Sequence, residues 1–157
     1  MSIQAGQQAP VFSLFDSDKN KVSLADYRGK NVVLLFFPLA FTSVCTAELC
    51  SVRDNIGLYS NTNAQVFGIS IDSLYVLNKY KAEQQLNFPL LSDFNKEASK
   101  AFDVLYDTFP SFEMQGVSKR AAFVIDAEGI IQYAEVCPKP YNQPDFAAIQ
   151  QTLSGLH

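Results

Sequence analysis

The sequence predicts an α/β fold, a layered sheet with helices on both faces. Three observations carry that reading. Asn31–Phe37 is a segment of strand length, unbroken apolar from Val32 onward. Strand-like and helix-like segments alternate after it, and a strand pair followed by a helix closes the chain. At 157 residues, 48% hydrophobic and 18% charged, the composition is that of one globular domain spanning residues 1–157.

The elements follow in order. Val11–Phe15 and Lys21–Leu24 flank the polar cluster Asp16-Ser17-Asp18-Lys19-Asn20 and read as an N-terminal β-hairpin. Asn31–Phe37 suits the centre of a sheet, buried on both faces. Residues 44–60 read as a helix, because Cys45, Leu49, Val52, Ile56 and Tyr59 fall on one apolar stripe. Gln65–Ile71 is a second buried strand and Ser73–Leu86 a second helix. Pro89–Leu91 reads as a short strand and Lys96–Val104 as a short helix. Ala121–Ile125 and Ile130–Val136 pair across the turn Asp126-Ala127-Glu128-Gly129. Pro144–Leu153 is the last helix, with Pro144 at its start, where a missing N–H costs no bond.

Charge and composition narrow the function. A net charge of −4 without a Lys/Arg run argues against a nucleic-acid partner. Met1–Gly6 lacks the basic and apolar regions of a secretory signal. The longest apolar run, Val32–Phe41, contains Pro38 and falls short of the ~20 residues a membrane span needs. The expected setting is soluble and cytoplasmic, with no membrane partner. There are three cysteines, Cys45, Cys50 and Cys137, and one histidine, His157. An odd cysteine count without a secretory signal reads poorly as a disulfide scaffold. Four-ligand zinc patterns are absent, so neither a metal nor a cofactor is expected. Histidine-assisted catalysis would rest on the terminal His157 alone, which leaves cysteine chemistry without histidine.

That chemistry concentrates in Pro38–Cys50, which leaves the central strand at its carboxyl end, the edge where open α/β sheets bind ligands. Thr42 or Ser43 can cap the following helix by accepting a free N–H one turn on. Cys45 then falls in the first turn, where unpaired N–H groups and the positive end of the macrodipole favour a thiolate. One helix terminus supplies about 2 kcal/mol at best. Moving a thiol from a pKa of ~8.5 to ~6 takes about 3.4 kcal/mol, so a cation is also needed. Lys119 and Arg120, just ahead of the Ala121 strand, are the basic candidates, and the planar, permanently charged Arg120 suits an anion pocket better.

Pro38, Thr42 and Cys45 form a PxxxTxxC pattern, with Arg120 ahead of Phe123-Val124-Ile125-Asp126. In these residues, and in Leu90-Leu91-Ser92-Asp93 and Gly129, the chain resembles the peroxiredoxins of the AhpC/TSA group over most of its length. Within that group, Cys50, five residues after Cys45, is similar to the resolving cysteine of the bacterioferritin comigratory protein (Q) type. Phe36–Thr42 and Phe88–Phe94 look more like the AhpE type, whose members commonly lack a cysteine at the place of Cys50.

The resemblance implies a thioredoxin-like fold with an N-terminal β-hairpin extension and a central mixed sheet flanked by helices. It implies a peroxidatic Cys45, Thr42 and Arg120 holding the peroxide oxygens, Pro38 shielding the thiolate, and the Val44 and Cys45 N–H groups as further donors. Cys50 would resolve the Cys45 sulfenic acid as a disulfide, and a thioredoxin-like thiol reductant would recycle it. The chain would act as a monomer or homodimer. Residues five apart on a regular helix lie about 8.6 Å apart between Cα atoms. A disulfide rarely spans more than about 7 Å, so closure would require the helix to unwind. Glu48, three residues after Cys45, reads equally well as a partner for Arg120 or as a solvated helix residue. Cys137, beside Pro138, reads as structural or incidental, with a backup resolving thiol as the alternative. A one-cysteine peroxidase using an external thiol and a non-catalytic thiol sensor remain as alternatives. A disulfide reductase of the Cys-x-x-Cys kind fits the spacing poorly.

Overall fold

A computed structural model describes residues 3–156; Met1, Ser2 and His157 lie outside the described residues. Seven strands form one mixed sheet in the order β2-β1-β5-β4-β3-β6-β7. Strands β1 (Ser13–Asp16) and β2 (Lys21–Ser23) are the expected hairpin, and a 3₁₀ turn at Leu24–Tyr27 follows them. Strand β3 (Asn31–Phe36) is buried at every position and pairs in parallel with β4 (Ala64–Ser70). Strand β5 (Leu90–Ser92) continues the parallel set, and β6 (Ala121–Ile125) runs antiparallel to both β3 and β7 (Ile131–Val136). Helices α1 (Ser43–Asp54), α2 (Ile56–Ser60), α3 (Leu74–Gln84), α4 (Glu97–Ala101) and α5 (Phe146–Ser154) make the connections.

The period-2 geometry of β3 divides its side chains between two cores. Val33 and Leu35, with Phe37 just beyond, pack with α1, α3 and α5 on one face. Val32, Leu34 and Phe36 pack with Phe67, Phe102, Phe123 and Leu24 on the other. Buried on both faces, the strand shows no polar alternation. Gly68 of β4 is required by close packing: a Cβ there would come within 2.7 Å of Leu90 Cδ2 and 3.3 Å of Phe37.

Several boundaries differ from the sequence expectation, each for a local reason. The helix expected over 44–60 breaks at Asn55 (φ −120°, ψ 24°), whose side chain donates to Ser51 O and whose amide returns to Val52 O. Cys45, Leu49, Val52 and Tyr59 nonetheless stay buried and Ile56 partly so, so the stripe continues across the break. Helix α4 ends at Ala101, where Phe102 turns into the second core and Asp103 takes a positive φ. Helix α5 starts at Phe146, because Asp145 caps it by accepting from Ala148 N, which leaves Pro144 ahead of the cap. No helix among the described residues is long and apolar enough to cross a membrane.

Candidate active site

The site is assembled by sheet register. The last residue of β3, Phe36, pairs with both Ile69 and Ala121, the latter being the first residue of β6. Arg120 therefore stands beside the carboxyl end of β3, where the chain turns through buried Pro38 towards α1. Ser118 Oγ donates to Phe37 O at 3.1 Å and ties the two segments together. The loop is held from the other side by Asp72, which accepts from Ala40 N at 2.8 Å and from Ser70 Oγ at 2.8 Å. Phe41 takes a positive φ of 65°, an uncommon conformation for a bulky side chain, and redirects the chain into the helix.

Thr42 occupies the N-cap position of α1, but its hydroxyl does not cap. The turn at Phe41 brings Leu39 O within reach, and Thr42 Oγ1 donates to that carbonyl at 2.8 Å. Ser43 is the first helical residue rather than the cap. Val44 and Cys45 are then the second and third, so their N–H groups precede the helix's own hydrogen-bond ladder. The first amide of that ladder is Thr46 N, donating to Thr42 O at 3.0 Å.

Cys45 lies on the core face of α1 and is only 1% exposed. Arg120, 2% exposed, donates from Nη2 to Cys45 Sγ at 3.2 Å and from Nη1 to Glu48 Oε1 at 2.5 Å. Its Nε and Nη2 also donate to Pro140 O, at 3.2 and 2.8 Å. The guanidinium fork is thus fixed by a carboxylate and a carbonyl, with one nitrogen directed at the sulfur. Lys119, the other basic candidate, instead places Nζ over the Tyr106 ring at 5.8 Å.

Glu48 is the partner that the sequence left ambiguous. It is fully buried on α1 one turn after Cys45, and its second oxygen has no hydrogen-bond partner. Burial pushes its carboxyl up to about 7, against the pull of the Arg120 charge. This pair and the Pro140 carbonyl together hold the fork whose Nη2 donates to the sulfur at 3.2 Å. The signal was Glu48's place on the same helix face as Cys45. Pro140 O carried no signal, because backbone carbonyls cannot be read from residue type.

Cys50 is half-buried on the same continuous helix, and its thiol donates to Gln84 Oε1 at 3.6 Å. All three cysteines are free. Cys137 is buried beside Arg120, whose carbonyl accepts from Cys137 N at 2.9 Å. Burial and the nearby Glu135 and Glu48 carboxylates push its thiol up to about 11, which fits a structural residue. Among the described residues no group of three His, Cys, Asp or Glu side chains is placed to hold a metal.

Comparison with known proteins matches residues 5–134 to the model of the AhpC/TSA family. The chain belongs to the AhpC/TSA family of peroxiredoxins. A relative in the family, alkyl hydroperoxide reductase E of Mycobacterium bovis, is 37% identical over 137 residues, covering 85% of this chain and 86% of its own. Among solved structures, the peroxidoxin BcpB of Mycobacterium tuberculosis superposes with a TM-score of 0.84 at 26% identity, covering 99% of both chains. Peroxiredoxin Q of Xanthomonas campestris gives a TM-score of 0.80 at 25% identity, over 92% of this chain and 90% of its own. The neighbours therefore include both types that the sequence resembles, and the fold is the thioredoxin-like fold of the peroxiredoxins. The chain is accordingly a thiol peroxidase.

Proposed function

We propose that Cys45 is the peroxidatic thiol of this peroxidase and that Arg120 is its electrostatic partner. The observation that carries the proposal is the buried guanidinium nitrogen 3.2 Å from Cys45 Sγ, with its fork fixed by Glu48 and Pro140 O. A Cys45 thiolate attacks the terminal oxygen of a hydroperoxide and the O–O bond breaks. The sulfur becomes a sulfenic acid, and the leaving oxygen takes a proton to depart as water or an alcohol. Negative charge moves from sulfur to the leaving oxygen, so a fixed cation reaching the sulfur can also follow the charge onto the peroxide. Ionisation alone cannot explain a fast reaction, because a more acidic thiol is also a weaker nucleophile. Thr42 and the Val44 and Cys45 N–H groups would bind the peroxide oxygens, with Pro38 covering the thiolate. In the reduced structure Thr42 Oγ1 is engaged by Leu39 O, so substrate would have to draw that hydroxyl away.

The substrates proposed are hydrogen peroxide and organic hydroperoxides, the latter in line with the alkyl hydroperoxide reductase relative. Cys50 would attack the sulfenic acid, and a thioredoxin-like dithiol would reduce the resulting disulfide, in a cytoplasmic setting and as a monomer or homodimer. Because Cys45 and Cys50 share the unbroken helix α1, closure requires that helix to unwind locally. The placement of Cys50 towards Gln84 favours one further reading, a one-cysteine cycle with an external thiol. Mass mapping after one equivalent of hydrogen peroxide separates the two. A Cys45–Cys50 disulfide is expected; a stable Cys45 sulfenic acid with Cys50 still reduced would establish the one-cysteine route.

A further inference from the structure

We propose that Tyr80 is a positioning residue for the disulfide-forming half of the cycle. Its hydroxyl, bonded to Thr46, holds the first turn of α1 closed around Cys45 and sets how often Cys45 is released to meet Cys50. The proposal rests on the reading of Cys45 and Cys50 given above.

Tyr80 lies on α3 and is wholly buried. Its hydroxyl is 2.7 Å from Thr46 Oγ1. Its ring sits 4.9 Å from the ring of Phe41, the strained residue that turns the loop into α1, and 6.3 Å from that of Phe37. Thr46 directly follows Cys45 and supplies the first amide of the helical ladder. One side chain on a neighbouring helix therefore grips the site at two points, the residue that starts the turn and the residue that closes it. Neither contact reaches the sulfur or Arg120.

Unwinding must break the Thr46 bond and strand a phenol hydroxyl among buried groups, so the bond opposes release. Burial pushes the Tyr80 hydroxyl up to about 12, so it keeps its proton as a neutral hydrogen-bonding group. In the step being timed, the Cys50 sulfur displaces hydroxyl from the Cys45 sulfenic sulfur. An S–S bond forms, the S–O bond breaks, and the oxygen leaves with the thiol proton as water. While that step waits, the sulfenic acid is open to a second peroxide and to conversion into sulfinic acid.

Tyr80→Phe keeps the ring and deletes the hydroxyl; Thr46→Val deletes the other end. A single neutral hydrogen bond predicts that either variant raises the opening equilibrium about five-fold. Hydrogen exchange of the reduced protein should therefore quicken about five-fold at Thr46 and the hydrogen-bonded amides that follow it in α1, with β4 and β6 unchanged. After one equivalent of hydrogen peroxide, sulfenic acid formation should be unaltered and Cys45–Cys50 closure should speed up by a similar factor. Sulfinic acid formed under excess peroxide should fall. Tyr80→Phe should add nothing in the Thr46→Val background, which separates this coupling from general loosening of the core. Unchanged exchange and closure rates, or additive effects in the double variant, would overturn the proposal. If Cys45 in the natural chain does not react with peroxide, the peroxidatic reading fails instead. The exchange measurement needs no peroxide and still tests the contact.

Discussion

Replacing Arg120 by Met tests whether the cation acts on the reaction or only on the thiol's ionisation. The substitution keeps a long side chain but removes the donor to Cys45 Sγ, the pair with Glu48 and both bonds to Pro140 O. Loss of one preorganised donor to a developing charge typically costs ~10²–10³ in rate. The same change strands a buried carboxylate, and breaking a buried pair costs about 3–5 kcal/mol of stability. Glu48 moderates that cost by taking up a proton, since burial already holds its carboxyl near 7. The double variant Arg120→Met, Glu48→Gln removes the stranded charge, so it should recover much of the stability and little of the rate. The assay is stopped-flow peroxide reduction, with the thiolate fraction measured separately by alkylation. If the rate fell only in proportion to thiolate fraction, or returned together with stability in the double variant, the role given to Arg120 in the transition state would be wrong.

Two further outcomes are expected. Cys50→Ser should leave the first oxidation of Cys45 intact, slow turnover with a dithiol reductant and raise the yield of sulfinic acid; unchanged turnover would show that Cys50 does not resolve Cys45. Glu48→Gln should change how stability depends on pH. The Glu48 carboxyl is raised from 4.5 to about 7 on folding, so the folded chain holds a proton that the unfolded chain releases between those values. Its contribution is fully present below 4.5 and is lost as pH rises through about 7. Measured by urea denaturation, the variant should gain on the natural chain across that window, by on the order of 3 kcal/mol, and a flat difference would refute the assignment.

The parts of this molecule that could be read from the sequence were those where one residue type has one physical use. The apolar run at Val32–Phe37 has only the centre of a sheet to occupy, and that strand delivers Pro38 and Cys45 to its carboxyl edge. Arg120 was legible because a thiolate at a helix start needs a permanent cation, and the family pattern puts an arginine ahead of the Ala121 strand; register with Phe36 places it at the site. What escaped were features set by tertiary geometry. Asn55 breaks the helix although the apolar stripe runs through it, because side-chain and amide bonds back to Ser51 and Val52 terminate α1 there. Thr42 sits at the predicted cap, yet the turn at Phe41 offers its hydroxyl a nearer acceptor in Leu39 O. Glu48 could be weighed only as paired or solvated until the fold buried it, and Tyr80, more than thirty residues from Thr46, left no local trace.

The central claim is that Cys45 performs the peroxide chemistry, and Cys45→Ser tests it most directly. The serine variant should keep its fold, because a buried hydroxyl in the first turn of α1 replaces a thiol of nearly the same volume. Circular dichroism should match that of the natural chain while rapid hydroperoxide reduction disappears, with Cys50 and Cys137 still reduced after one equivalent of peroxide. Rapid peroxide reduction by the folded variant would contradict the account.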